Sequence, residues 1–76
     1  MAGIIGGNLR RLRLNAKLSQ EKLAEAMGVH QSTVAYWENV STWSPKAESM
    51  AQLCQIFNVS PDDFYQDFGG NEQEEG

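Results

Sequence analysis

The side chains able to do chemistry in these 76 residues are few, and most of them suit recognition better than bond-making. His30 is the one histidine and Cys54 the one cysteine. A zinc or redox-metal site needs several such ligands at short spacing, so no metal is expected. Cys54 falls in an apolar helical pattern, where it reads as a small core residue rather than a reactive thiol. No serine, histidine and acid stand in an order suggesting an activated nucleophile, and no glycine-rich loop is placed to cradle a phosphate. The chain is therefore expected not to be an enzyme and to need no cofactor. A different set lies between residues 31 and 39, where Gln31, Ser32, Ala35, Tyr36 and Asn39 fall on the helical face away from Val34 and Trp37. A glutamine can make two hydrogen bonds to the N6 and N7 edge of adenine, and a serine reads bases less selectively. A tyrosine ring can touch a thymine methyl or bond a phosphate. Such a face is free to enter the major groove of duplex DNA.

A helix carrying that face needs a support, and the residues before it supply one. Leu23, Ala24 and Met27 form one short apolar run, Val34 and Trp37 another, with only Gly28 and Val29 marking the break between them. That is the pattern of two helices meeting at a sharp turn. Gly28 stands where the first helix must stop and the chain reverse, a position that favours positive φ. Ala24 is small where the second helix would cross the first. Ser19 is a suitable N-cap for the first of the pair, with Gln20 its first helical residue, and His30 takes the N-cap position of the second.

With Gln20, Leu23, Ala24, Gly28, Val29, Val34, Trp37 and Glu38-Asn39 at these offsets, the stretch resembles the helix-turn-helix of the Cro and phage-repressor (xenobiotic-response-element-like) regulators. The resemblance extends over roughly residues 9 to 65 and implies an all-α, five-helix, lambda-repressor-like domain that binds double-stranded DNA, generally as a homodimer. It gives Gln31, Ser32 and Tyr36 the base-reading positions. It places a DNA phosphate at Gln20 and the amides beside it, which is sensible at the positive end of a helix. His30 and Asn39 are read as further phosphate contacts, with backbone amides, Ser41, Ser44 and Lys46 as substitutes for the basic contacts that the family has after its recognition helix. Asn39 serves equally well as a helix-ending residue. The resemblance also pairs Arg13, seven residues before Gln20, with Glu38 at the close of the recognition helix. After Asn39 the chain departs from the pattern: the family has a glycine and then basic residues, whereas Val40 to Pro45 carry no charge. Valine resists the left-handed conformation, so Asn39 is expected to adopt it instead.

The net charge of −4 argues at first against a phosphate-rich partner, but its distribution reverses that reading. All six bases lie in residues 1–46 with three acids, for a local +3; residues 47–76 hold seven acids and no base, for −7. The local field, not the sum, decides what binds.

The remaining elements follow from periodicity. Leu9, Leu12 and Leu14 predict helix 1 at about residues 4 to 16. Pro45 suits the first turn of helix 4, whose core stripe is Met50, Leu53, Cys54 and Phe57, and Asn58 ends it. Trp43 is expected to pack partly against helix 4. Ser60-Pro61-Asp62-Asp63 has the form of a start to a short helix 5, with Phe64 in the core. Tyr65 and Phe68, three apart on another face, are the predicted dimer contact. Domain boundaries are read at 1–68, with 69–76 a disordered acidic tail. At this length about 60 % of the unfolded surface is buried, leaving little room for a cleft and no evident small-molecule ligand. No apolar run is long enough for a membrane span, and the N-terminus lacks the form of a signal peptide, so a cytoplasmic location is expected.

Two functional readings remain. The first is a sequence-specific, duplex-DNA-binding transcriptional regulator, acting as a homodimer. The second is a protein-interaction module of the same fold, an antitoxin-like or anti-repressor partner with weak or no DNA binding, suggested by the neutral 40–44 loop and the acidic C-terminal half.

Overall fold

The computed structural model describes residues 3–66, in which four α-helices and one 3-10 turn occur and no strand. They are α1 (Ile4–Asn15), α2 (Gln20–Met27), α3 (Gln31–Asn39) and α4 (Ala47–Phe57), then the 3-10 turn Pro61–Phe64. The expected acidic tail and Phe68 lie outside the described residues.

Helix ends set the architecture. Lys17, Gly28 and Asn58 are left-handed, with φ of 62°, 74° and 57°, and each lets the chain turn back while its N–H groups reach the last helical carbonyls. At the α2 exit, the Val29 N–H donates to the Ala24 carbonyl at 2.9 Å and the Gly28 N–H to that of Glu25 at 3.2 Å. His30 is already extended, and α3 begins one residue later. At the other end of α2, the Ser19 hydroxyl accepts from the Lys22 N–H at 3.0 Å, satisfying a donor with no partner inside the helix.

Three sequence expectations need correction. Helix 5 is a single 3-10 turn: the Ser60 N–H donates to the Asp63 carboxylate at 3.1 Å, the Tyr65 N–H bonds three residues back to Asp62, and Phe64 is already anchored in the core. Asn39 stays helical and donates from its side chain to the Ala35 carbonyl at 2.7 Å. The chain leaves α3 through Val40 in an extended conformation that suits a β-branched residue. Pro45 precedes α4 instead of sitting in its first turn, because Lys46, extended at ψ 163°, is the N-cap. Helix 1 runs from Ile4 to Asn15 with Ala16 as its cap, in agreement with the expected span of about 4 to 16.

The core gathers one apolar stripe from each element: Leu9 from α1, Leu23, Ala24 and Met27 from α2, Val34 and Trp37 from α3, Met50 and Leu53 from α4, and Phe64 from the 3-10 turn. Ala24 is 2 % exposed, and its small side chain permits the close crossing of α2 and α3. A close backbone approach and a buried polar side chain complete the packing. Gly6 of α1 is buried against the end of α3, where a Cβ would lie 2.5 Å from the Trp37 carbonyl oxygen. Asn8, also buried, donates through Nδ2 to the carbonyls of Phe64 at 2.8 Å and Gln66 at 2.7 Å.

Candidate nucleic-acid interface

Arg13 in the last turn of α1 and Glu38 near the end of α3 are both buried and meet between the helices. Arg13 donates from Nε to Glu38 Oε2 at 2.6 Å and from Nη2 to Glu38 Oε1 at 3.2 Å. Its Nη1 donates to the Leu18 carbonyl at 2.8 Å. The planar guanidinium thus matches the carboxylate with two bonds on one side and fastens the α1–α2 turn on the other.

From that pair a chain of hydrogen bonds runs outward. Gln20, half-buried as the first residue of α2, donates from Nε2 to Glu38 Oε1 at 3.0 Å. Its Oε1 accepts from Nε2 of Gln31 at 2.6 Å. Gln31 is exposed as the first residue of α3. A shallow recess beside this relay is lined by Arg13, Ser19, Gln20, Glu21 and Gln31. The structure therefore joins four residues that the sequence treated as two unrelated groups, the ion pair and the contact positions.

On α3 the buried residues are Val34, Trp37 and Glu38, while Gln31, Ser32, Tyr36 and Asn39 are exposed. Tyr36 keeps 54 % of its surface open. The helix offers solvent a mostly polar face from Gln31 to Asn39, interrupted by half-buried Ala35. His30 occupies the N-cap position in an extended conformation, but its ring makes no capping bond; the position suits capping by backbone geometry, and the imidazole is left exposed. Ser41 and Lys46 are exposed at opposite ends of the α3–α4 connection. Between them Trp43 is half-buried and stacks on Trp37, with ring centroids 5.1 Å apart and planes 13° from parallel. Its stacking partner comes from α3, and it also packs against the core cluster to which α4 contributes Met50 and Leu53. Tyr65 is exposed next to fully buried Phe64.

Sequence reasoning overlooked Asn8, Gly6 and the bond between Gln20 and Gln31. The available signals were an asparagine and a glycine pair inside a helix, where both are poor helix formers, and two glutamines that each begin a helix across the turn. Cys54 is half-buried against the core. Burial, and then the charge of Asp63, raise its thiol pKa.

The helix-turn-helix family profile matches residues 9–64, spanning all these contacts except the first helical turns of α1 and the Gln66 carbonyl. The chain belongs to the helix-turn-helix family. Its all-helical architecture is of the lambda-repressor-like class. The restriction-modification controller protein C.AhdI from Aeromonas hydrophila superposes with a TM-score of 0.68 at 28% identity, covering 79% of this chain and 86% of that one. The clp gene regulator ClgR from Corynebacterium glutamicum gives 0.72 at 24% identity, covering 90% and 87%. A further ClgR structure gives 0.74 at 22%, covering 95% and 76%; at these identities ClgR shows the shared fold alone. No curated protein matches the sequence. Among the described residues, no helix is long and apolar enough to cross a membrane, and no three His, Cys, Asp or Glu residues cluster as metal ligands.

Proposed function

We propose that this chain is a transcriptional regulator that binds duplex DNA sequence-specifically, with α3 in the major groove. The observation that carries the reading is the exposed polar face of α3, whose leading residue, Gln31, is held from behind by Gln20 and the buried pair. Gln31 and Ser32, in the first turn, read base edges, and Tyr36 follows one turn later. Gln20 and the free amides at the start of α2 take a phosphate, with His30, Asn39, Ser41 and Lys46 as flanking contacts. Family membership and the likeness to C.AhdI, a controller protein, support regulation over catalysis.

One recognition helix spans too few base pairs for high specificity, so the functional unit is a homodimer on a pseudo-palindromic site. It sets two α3 helices in major-groove faces about 34–36 Å apart. Its two-fold contact is centred on Tyr65 and Phe68, away from the reading face; exposure of Tyr65 supports this placement.

Selection of bound sequences from a random duplex library at two salt concentrations tests the function. Enrichment of a palindrome whose binding weakens with salt is the expected result. No enrichment at low salt would favour the protein-interaction module. One observation favours that second reading: residues 3–66 carry six bases and six acids, so the described part has no formal excess of positive charge.

A further inference from the structure

We infer that Glu38, buried behind the reading face, determines which base Gln31 accepts, by fixing the polarity of two side-chain amides in series. The inference rests on the proposed DNA-reading role of α3. A carboxylate paired with arginine offers only acceptors, so Gln20 must turn its NH2 group toward Glu38, as it does at 3.0 Å. That leaves the Gln20 oxygen facing outward, where it accepts from the Gln31 NH2 at 2.6 Å. Gln31 then keeps its oxygen and one N–H for a partner. An acceptor beside a donor is the complement of adenine, which presents the N6 donor and N7 acceptor in the major groove. It is a poor match for guanine, whose O6 and N7 both accept.

Were the amides to turn over, Gln31 would give its oxygen to Gln20 and present two N–H donors, which suit guanine. Glu38 blocks that arrangement because it has no hydrogen to offer the reversed Gln20. The relay also restricts the side-chain rotation of Gln31 before DNA arrives, reducing the entropy lost on contact. Glu38 is thus a positioning residue: its two carboxylate oxygens are engaged by Arg13 and Gln20, and it is 3 % exposed.

The test compares base preferences from the same random duplex selection for wild type, Gln31→Ala, Gln20→Met and Glu38→Gln. Gln31→Ala identifies the base-pair position that Gln31 reads. At that position the wild type is expected to favour adenine over guanine by about tenfold or more. In both relay variants this ratio falls toward parity while preferences elsewhere in the site stay unchanged, a pattern that general destabilisation does not produce. Gln20→Met leaves the Arg13–Glu38 pair intact, so it decides the matter if Glu38→Gln does not fold, which circular dichroism reports. Retention of the full adenine preference in Gln20→Met, or an even loss at every position, would overturn the inference while leaving DNA reading in place. A wild type that enriches no motif would overturn the DNA-binding reading, and this inference with it.

Discussion

Gly6 lies against the Trp37 carbonyl so closely that a side-chain carbon at Gly6 would come within 2.5 Å of that oxygen. The contact brings the backbone of α1 onto the end of α3, where the Glu38 carbonyl oxygen also lies 3.2 Å from the same position. Its neighbour Gly7 faces open space, where an added methyl would meet nothing within 4 Å. The two substitutions should therefore differ in sign. Gly6→Ala is expected to destabilise by about 1–3 kcal/mol through overpacking, and Gly7→Ala to stabilise by about 0.5–1 kcal/mol through helix propensity. Urea unfolding of both variants checks this; equal effects would mean that α1 is free to shift away from α3.

Arg13 and Glu38 should be strongly coupled. Replacing either alone leaves a buried charge without its partner, at a cost of about 3–5 kcal/mol. Replacing both by methionine should recover much of that loss, since well-packed apolar residues often substitute for a buried pair. A double-mutant cycle measured by chemical denaturation gives the coupling, and a value near zero would show that the pair does not hold α1 to α3.

Asn8 fastens the chain after the 3-10 turn to α1, and its Oδ1 accepts from Arg11. Asn8→Ala removes both donors to the Phe64 and Gln66 carbonyls and is expected to cost about 1–3 kcal/mol. Hydrogen exchange should rise first in the Pro61–Phe64 turn; uniform acceleration across all helices would instead indicate a global role.

Gln31→Ala is expected to weaken specific DNA binding by about 1–3 kcal/mol and to relax preference at one base position. Binding titrations against the selected site and a scrambled duplex separate the possibilities. The same loss on both would assign Gln31 to phosphate contact or to support of the turn.

Replacing Tyr65 and Phe68 together by serine should yield a folded monomer with reduced affinity for a palindrome. Sedimentation and DNA titration provide the readouts. An unchanged mass with unchanged affinity would place the dimer contact elsewhere.

The sequence by itself determined the helix-turn-helix, because its signals are local. Gly28 permits a left-handed exit, Ser19 offers a hydroxyl to the first turn of α2, and Leu23, Met27, Val34 and Trp37 repeat at helical spacing. The exits at Asn39 and Val40 and the start of α4 were less legible, since several conformations satisfy the same residues there and packing selects among them. Tertiary structure alone decided the rest. Gly6 looks like a weak point in α1 until α3 arrives against it, and Asn8 looks like a poor helix residue until two carbonyls from 56 and 58 residues away need donors. The relay is similar: Gln20 and Gln31 are 11 residues apart, and neither spacing nor composition indicates which amide end each presents. That orientation follows from a buried carboxylate able only to accept, and its place beside Gln20 exists only once α1, α2 and α3 have packed together.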